Sequence, residues 1–249
     1  MGKGKRIRAQ RKPESPLNKR ALVEGWAATP QLLIRQATTA DMDRVGEFAG
    51  MVGVEMESQL FNSVAEGFAG AALQVCLQGG REAFKGYMAK KFFDKQEDPT
   101  TIYLNCALIL VAEHRDHGIV GALVAYPPVS VVQMYIQSMR TSDPKQILNA
   151  VICGALGVSR IKALAVVESA RRAGIGSALL KYCTRIYSHC GYQLLYGQMP
   201  SATPGLDLFY QRHGFDVLPP ETPLNLWVIF GNNALVGPGP DEQFFVRLI

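Results

Sequence analysis

The spacing of apolar residues changes period several times along the chain, and each change marks an element. Leu32 to Arg35 reads as a short strand, and Thr38 to Asp41 supplies cap residues for a helix with apolar positions Met42, Val45, Phe48, Ala49 and Val52. Helical spacing continues to Asp98 through Met56, Leu60, Val64, Phe68, Phe84, Tyr87, Met88 and Phe92, with Gly79-Gly80 dividing it. Pro99 closes this region. Ile102 to Ala112 is then expected as a buried strand, Glu113 to Gly118 as a polar turn, and Ile119 to Tyr126 as the returning strand of a hairpin. After Pro127-Pro128, helical pattern runs to about residue 158 with a break at Asp143-Pro144, which is long for a connection and suits a lid or a partner surface.

A strand from Ile161 to Val167 follows, and then the clearest periodicity in the chain. Ile175, Ala178, Leu179, Tyr182, Cys183 and Ile186 fall on one face of a helix over residues 174–188. Gln193 to Met199 reads as a strand, Leu206 to His213 as a short helix, and Leu226 to Phe230 and Phe244 to Ile249 as closing strands. This order indicates an α/β or α+β fold on a mixed sheet.

Composition supports a packed domain: 48% of the 249 residues are hydrophobic and 19% charged, unlike a disordered chain. No apolar run reaches the length that a membrane-spanning helix needs, and the basic N-terminus has no apolar stretch behind it, so no secretory signal is expected. The five cysteines are odd in number, with no C-x-x-C pair, which fits reduced thiols in a cytoplasmic protein and no zinc site. His114, Asp116 and His117 crowd one turn and read as a solvated hairpin tip, so no metal is expected. The net charge of +5 is unevenly placed. Residues 1–20 hold eight basic residues against one acid, +7, which leaves −2 on the remaining 229. A basic, disordered tail at 1–20 is therefore expected before a single domain at 21–249, with helical insertions at about 51–98 and 129–158.

Chemistry concentrates at Leu164 to Leu180, where an apolar strand enters a loop with Arg171 and Arg172 and glycines stand where the loop becomes a helix. First-turn amides lack intrahelical partners and share the positive end of the helix dipole, so such a junction holds an anion. A Walker A loop would need Gly-Lys-Ser/Thr, and a dinucleotide fingerprint a third glycine; both are absent.

Leu164 to Leu180, with Arg171, Gly174 and Gly176 in the pattern Arg-x-x-Gly-x-Gly, resembles the acetyl-CoA-binding signature of the GNAT superfamily of N-acetyltransferases. Leu208-Phe209-Tyr210-Gln211-Arg212-His213-Gly214-Phe215 is similar to the family's tyrosine helix, and Ile34 to Thr38 with Asp41 to its first strand and helix start. The resemblance implies a mixed, mostly antiparallel sheet flanked by helices, whose fourth and fifth strands (Ile161 to Val167 and Gln193 to Met199) splay apart for the pantetheine arm of acetyl-CoA. Backbone groups of Val166 and Val167 would bind that arm. Amides of Arg171, Arg172, Ala173, Gly174, Ile175, Gly176 and Ser177 would hold the pyrophosphate.

The implied reaction is attack of a primary amine, on a small molecule or a peptide, upon the thioester, with Tyr210 as general acid and a backbone amide near Val166 or Val167 as oxyanion donor. The family's glutamate early in the fourth strand is missing from Ser159-Arg160-Ile161-Lys162, so Glu113 is the leading candidate base, with water as the alternative. Glu168 is poorly placed for catalysis, and Thr203 stands where many members have asparagine. The alternative reading is a catalytically silent relative that contacts RNA, the nucleoid or a ribosome through residues 1–20. Apolar residues in the two insertions, such as Met56, Phe61, Met134 and Tyr135, suit core packing, a substrate pocket or a homodimer surface.

Overall fold

Order begins inside the expected tail. The computed structural model describes residues 16–93, 99–139, 142–231 and 234–249. In it, Asn18 caps helix α1 (Lys19–Glu24) by accepting from the Ala21 amide at 2.8 Å. Leu22 is fully buried, and the Trp26 indole donates to the Pro16 carbonyl. Residues 16–20 thus belong with the body, and 1–15 lie outside the described residues.

Strands β1 (Trp26–Thr29) and β2 (Leu32–Gln36) pair antiparallel. The Thr38 amide and hydroxyl both donate to the Asp41 carboxylate at 2.7 Å, part of a capping box on the 3-10 turn Thr39–Asp41 that leads into α2 (Met42–Gly50). Helices α3 (Ser58–Ala65) and α4 (Ala71–Phe93) follow, the latter kinked where Gly80 adopts φ 77°. The strand expected from Ile102 starts later. Pro99 opens helix α5 (Pro99–Leu104), and β3 spans Leu108–His114. A proline suits a first helical turn as well as a stop, and a short buried apolar run has no period that separates helix from strand.

A hairpin forms here, with β4 at Gly118–Tyr126; Glu113 and His114, expected in its turn, belong to β3. Helices α6 (Val129–Met139) and α7 (Pro144–Gly157) fill the long connection; Asp143 caps α7 through the Lys145 amide, with Pro144 in its first turn. Then come β5 (Val158–Val166), α8 (Ile175–Cys190), β6 (Leu194–Pro200), α9 (Leu206–Arg212), β7 (Asp216–Val217) and β8 (Leu224–Asn225). The expected strand at Leu226–Phe230 is instead a single helical turn, α10 (Trp227–Phe230), which buries Leu226 and Ile229 three residues apart and exposes Trp227. Strands β9 (Leu235–Val236) and β10 (Glu242–Leu248) complete the chain.

The main sheet has the order β1-β2-β3-β4-β5-β6-β10-β7, and β5–β6 is its one parallel pair among the described residues. Helix α8 makes the crossover that a parallel pair requires. One face packs Leu110 and Leu123 against Leu179, Cys183 and Ile186 of α8; the other packs Val111, Val124 and Ala163 against Val45 and Phe48 of α2. No helix among the described residues is long and apolar enough to cross a membrane.

Candidate active site

The site grows from one irregularity. Strands β5 and β6 pair from Val158↔Leu194 to Ile161↔Gly197 and no further. At the same level the β4–β5 ladder slips: Val124 faces Ala163 and Ala125 faces Ile161, so Lys162 is an extra residue in β5. Such a bulge bends its strand and re-aims a side chain. Gly197 permits the last close contact, since a Cβ there would lie 2.2 Å from the Phe245 ring and 2.8 Å from the Ile161 carbonyl. Beyond this point β5 shows β6 an open edge.

Backbone polarity on that edge follows from alternation. The Val167 amide donates to the Val120 carbonyl at 3.0 Å, so it belongs to the β4 ladder. The Val166 and Leu164 amides and carbonyls therefore face the other way, into the open edge. Of the two valines expected to bind a pantetheine arm, Val166 keeps its amide free while its carbonyl accepts from Arg171, and Val167 has both groups bonded within the fold.

The β5 edge forms one wall of a cleft of about 530 Å³. Arg171, Arg172, Gly174, Ile175, Gly176 and Ser177 form its end, and Leu206, Phe209, Tyr210 and Arg212 of α9 close the far side. Gly174 caps α8 at φ 80°, and the first ladder bond of that helix runs from the Ala178 amide to the Gly174 carbonyl at 3.0 Å. The amides of Ile175, Gly176 and Ser177 thus precede the ladder and remain to bind an anion. Gly176 leaves room for α9, whose Phe209 ring lies 3.5 Å from where a Cβ would stand. The Arg171 guanidinium donates to the Val166 carbonyl at 3.2 Å, which ties the loop to the strand. Ala173 and Glu168 are exposed and do not line the cleft.

Tyr210 is 6% exposed, its ring stacked on Phe245 at 3.6 Å between centroids and set edge-on to Phe215. Burial pushes its phenol well above the ordinary tyrosine value, so it stays protonated at neutral pH. Glu113 belongs elsewhere. It lies on β3, with β4 between it and β5, and its carboxylate accepts from Arg35 Nε at 2.7 Å. Arg35 also grips both oxygens of Asp41, at 2.6 and 3.0 Å. Glu113 is therefore an ion-pair partner of Arg35 and does not line the cleft where a base was expected. Thr203 is exposed in a separate surface hollow with Pro204 and Gln243. His114 and His117 stack at 4.7 Å on the hairpin tip, and no group of three metal-ligating side chains occurs among the described residues.

Sequence reasoning missed a second cavity of about 220 Å³ beside the bulge, lined by Glu57, Tyr126, Ser130, Gln133, Arg160 and Lys162 among others. Along β5 the side chains pass from Val166 and Leu164 in the cleft to Lys162 and Arg160 in this cavity. Tyr126 donates to the exposed Glu57 carboxylate at 3.4 Å. Arg160 donates to the Gln198 amide oxygen, and the Gln198 amide nitrogen donates to Glu242 at 3.0 Å. Burial, followed by the nearby Arg160, holds the Lys162 ammonium below the ordinary lysine value. The signal in the sequence was two basic residues two positions apart in an otherwise apolar strand.

Residues 105–217 match the family of the acetyltransferase (GNAT) domain. No curated protein matches the chain. Among solved structures, Arabidopsis thaliana NAA60 in complex with a bisubstrate analogue is similar over 88% of this chain and 98% of that one, at 16% identity and a TM-score of 0.50. The same plant protein in complex with acetyl-CoA gives the same coverage and identity at 0.49. The ribosomal-protein-S18-alanine N-acetyltransferase from Escherichia coli is similar over 88% of this chain and 94% of its own, at 11% identity and 0.45.

Proposed function

We propose that this chain, which carries a GNAT acetyltransferase domain, moves the acetyl group of acetyl-CoA to a primary amine. One observation carries the reading: the β5 edge freed by the bulge, the uncapped amides of α8 and the protonated Tyr210 phenol open into one cleft. An acyl-CoA fits what is there. Ile175, Gly176 and Ser177 offer amides, and Arg171 and Arg172 offer charge, to a pyrophosphate. The outward groups of Leu164 and Val166 offer strand-like hydrogen bonds to an amide-containing arm.

Acetyl-CoA supplies the activated acyl group, and the protein positions, polarises and moves protons. The open edge aims the arm along β5 toward Lys162, so the acceptor enters from the second cavity. With the Val167 amide committed to β4, the outward amide of Val166 or Leu164 is the backbone donor for the developing oxyanion. Tyr210, kept protonated by burial, returns a proton to the departing thiolate. With Glu113 held by Arg35, the amine proton leaves through water at the mouth of the second cavity, beside Glu57. Residues 1–15 carry most of the basic tail and add RNA or ribosome contact to this activity.

Calorimetric titration of acetyl-CoA tests the core of the reading. Saturable binding is expected, weakened by about a hundredfold when Arg171 and Arg172 are both changed to Glu, because charge-assisted contacts become repulsive. Absent binding, or binding undiminished in the double variant, would overturn it.

A further inference from the structure

The second cavity and the β5–β6 pair that supplies its Arg160 contain polar groups that the fold leaves unfinished. Arg160 Nε and the Tyr196 hydroxyl are buried and have no hydrogen-bond partner, although Arg160 and Tyr196 face each other across the β5–β6 ladder. Tyr196 is 1% exposed, and a hydroxyl buried this deeply without a partner costs free energy. Neither Arg160 nor Lys162 takes part in an ion pair among the described residues. Gln198 stands between Arg160 and Glu242 and offers the guanidinium a neutral oxygen in place of a carboxylate.

Two cations share one small wall, and one is half-buried. The nearest acids lie to the sides: Glu57 at the mouth with Tyr126, and Glu242 turned to Gln198 and to the Gly239 amide. An arrangement of this kind is costly when empty and favourable when an anion enters, because a carboxylate can accept from Arg160 and Lys162 together.

We propose that the acceptor amine carries a carboxylate, which Arg160 and Lys162 hold while Glu57 faces its ammonium group. A cavity of about 220 Å³ admits a ligand of amino-acid size, so a free amino acid is the favoured source of that carboxylate. An acidic side chain at the start of a peptide offers the same chemistry. The assignment rests on the acetyltransferase reading above and names its substrate class.

The test uses the full-length protein, acetyl-CoA and acceptors matched in pairs: leucine with isopentylamine, β-alanine with propylamine, and tripeptide amides beginning with Asp or with Ala. Thiol release should favour the carboxylate member of a pair by about a hundredfold in kcat/KM, since a site built for a polar group rejects the analogue that lacks it. Arg160→Gln should bring the ratio toward one, Lys162→Met should reduce it, and Arg160→Lys should keep part of it. Preference within the amino-acid pairs identifies a free amino acid, and preference confined to the peptide pair identifies an acidic terminus. Equal use of both members of every pair, or a ratio unchanged in Arg160→Gln, overturns the proposal and leaves the acetyltransferase reading standing. A second readout needs no turnover: N-acetyl-leucine and N-acetyl-aspartyl peptide amide are titrated calorimetrically into the CoA-saturated protein. Binding of either that is lost in Arg160→Gln supports the carboxylate site even if no acceptor is turned over, and no binding of either by the unaltered protein counts against it.

Discussion

Tyr210, expected as general acid, and Glu113, the leading candidate base, are separated by what surrounds them. Tyr210 is buried against Phe245 with its phenol protonated, whereas Glu113 is occupied by Arg35. Tyr210→Phe is expected to lower kcat by about a hundredfold, the usual scale of one proton transfer, while acetyl-CoA affinity in titration stays nearly unchanged. The same arginine sets a pH dependence. Burial would raise the Asp41 carboxyl, but Arg35 and the Thr38 donors outweigh it and hold it at about 2, below its ordinary 3.8. A depressed folded-state value gives stability that is full above 3.8 and lost as pH falls toward about 2. Asp41→Asn should therefore cost about 1–2 kcal/mol at pH near 7, allowing for solvent screening, and much less in acid. Urea midpoints of both proteins at neutral and acidic pH check this.

At the scale of elements, periodicity identified the long amphipathic pieces. The α8 pattern and the returning strand β4 stand where the sequence puts them, and Gly80 kinks α4 within the expected Gly79-Gly80 break. Short apolar segments misled, as α5 and α10 show, because four to six residues span fewer than two helical turns, too few for a period to separate helix from strand. The bulge at Lys162 was also hidden, since it is a relation between two ladders. Its companion is Gly197, where any side chain meets the Phe245 ring and the Ile161 carbonyl. Gly197→Ala is expected to cost about 1–3 kcal/mol by overpacking and to lower the melting temperature, because backbone lies on one side and an aromatic on the other.

At the scale of the whole molecule, charge is divided by position. Residues 1–15 hold six basic residues against Glu14, so removing them takes the chain from +5 to zero. Deleting them should leave the melting temperature unchanged to within a few degrees and remove salt-dependent RNA binding, measured by filter retention at two salt concentrations. RNA affinity equal in the two forms would dismiss a role for this segment. The sequence by itself determined the mixed sheet, the strand-to-α8 loop with Arg171, Arg172, Gly174 and Gly176, and the helix of Tyr210, because these depend on local periodicity and on residues close together in the chain. Only the tertiary structure decided that Val167 is spent on β4, that Glu113 pairs with Arg35, and that Arg160, Lys162 and Glu57 meet beside the bulge. Those facts depend on which strand lies next to which, and the energy that sets them comes from contacts between residues far apart in the chain.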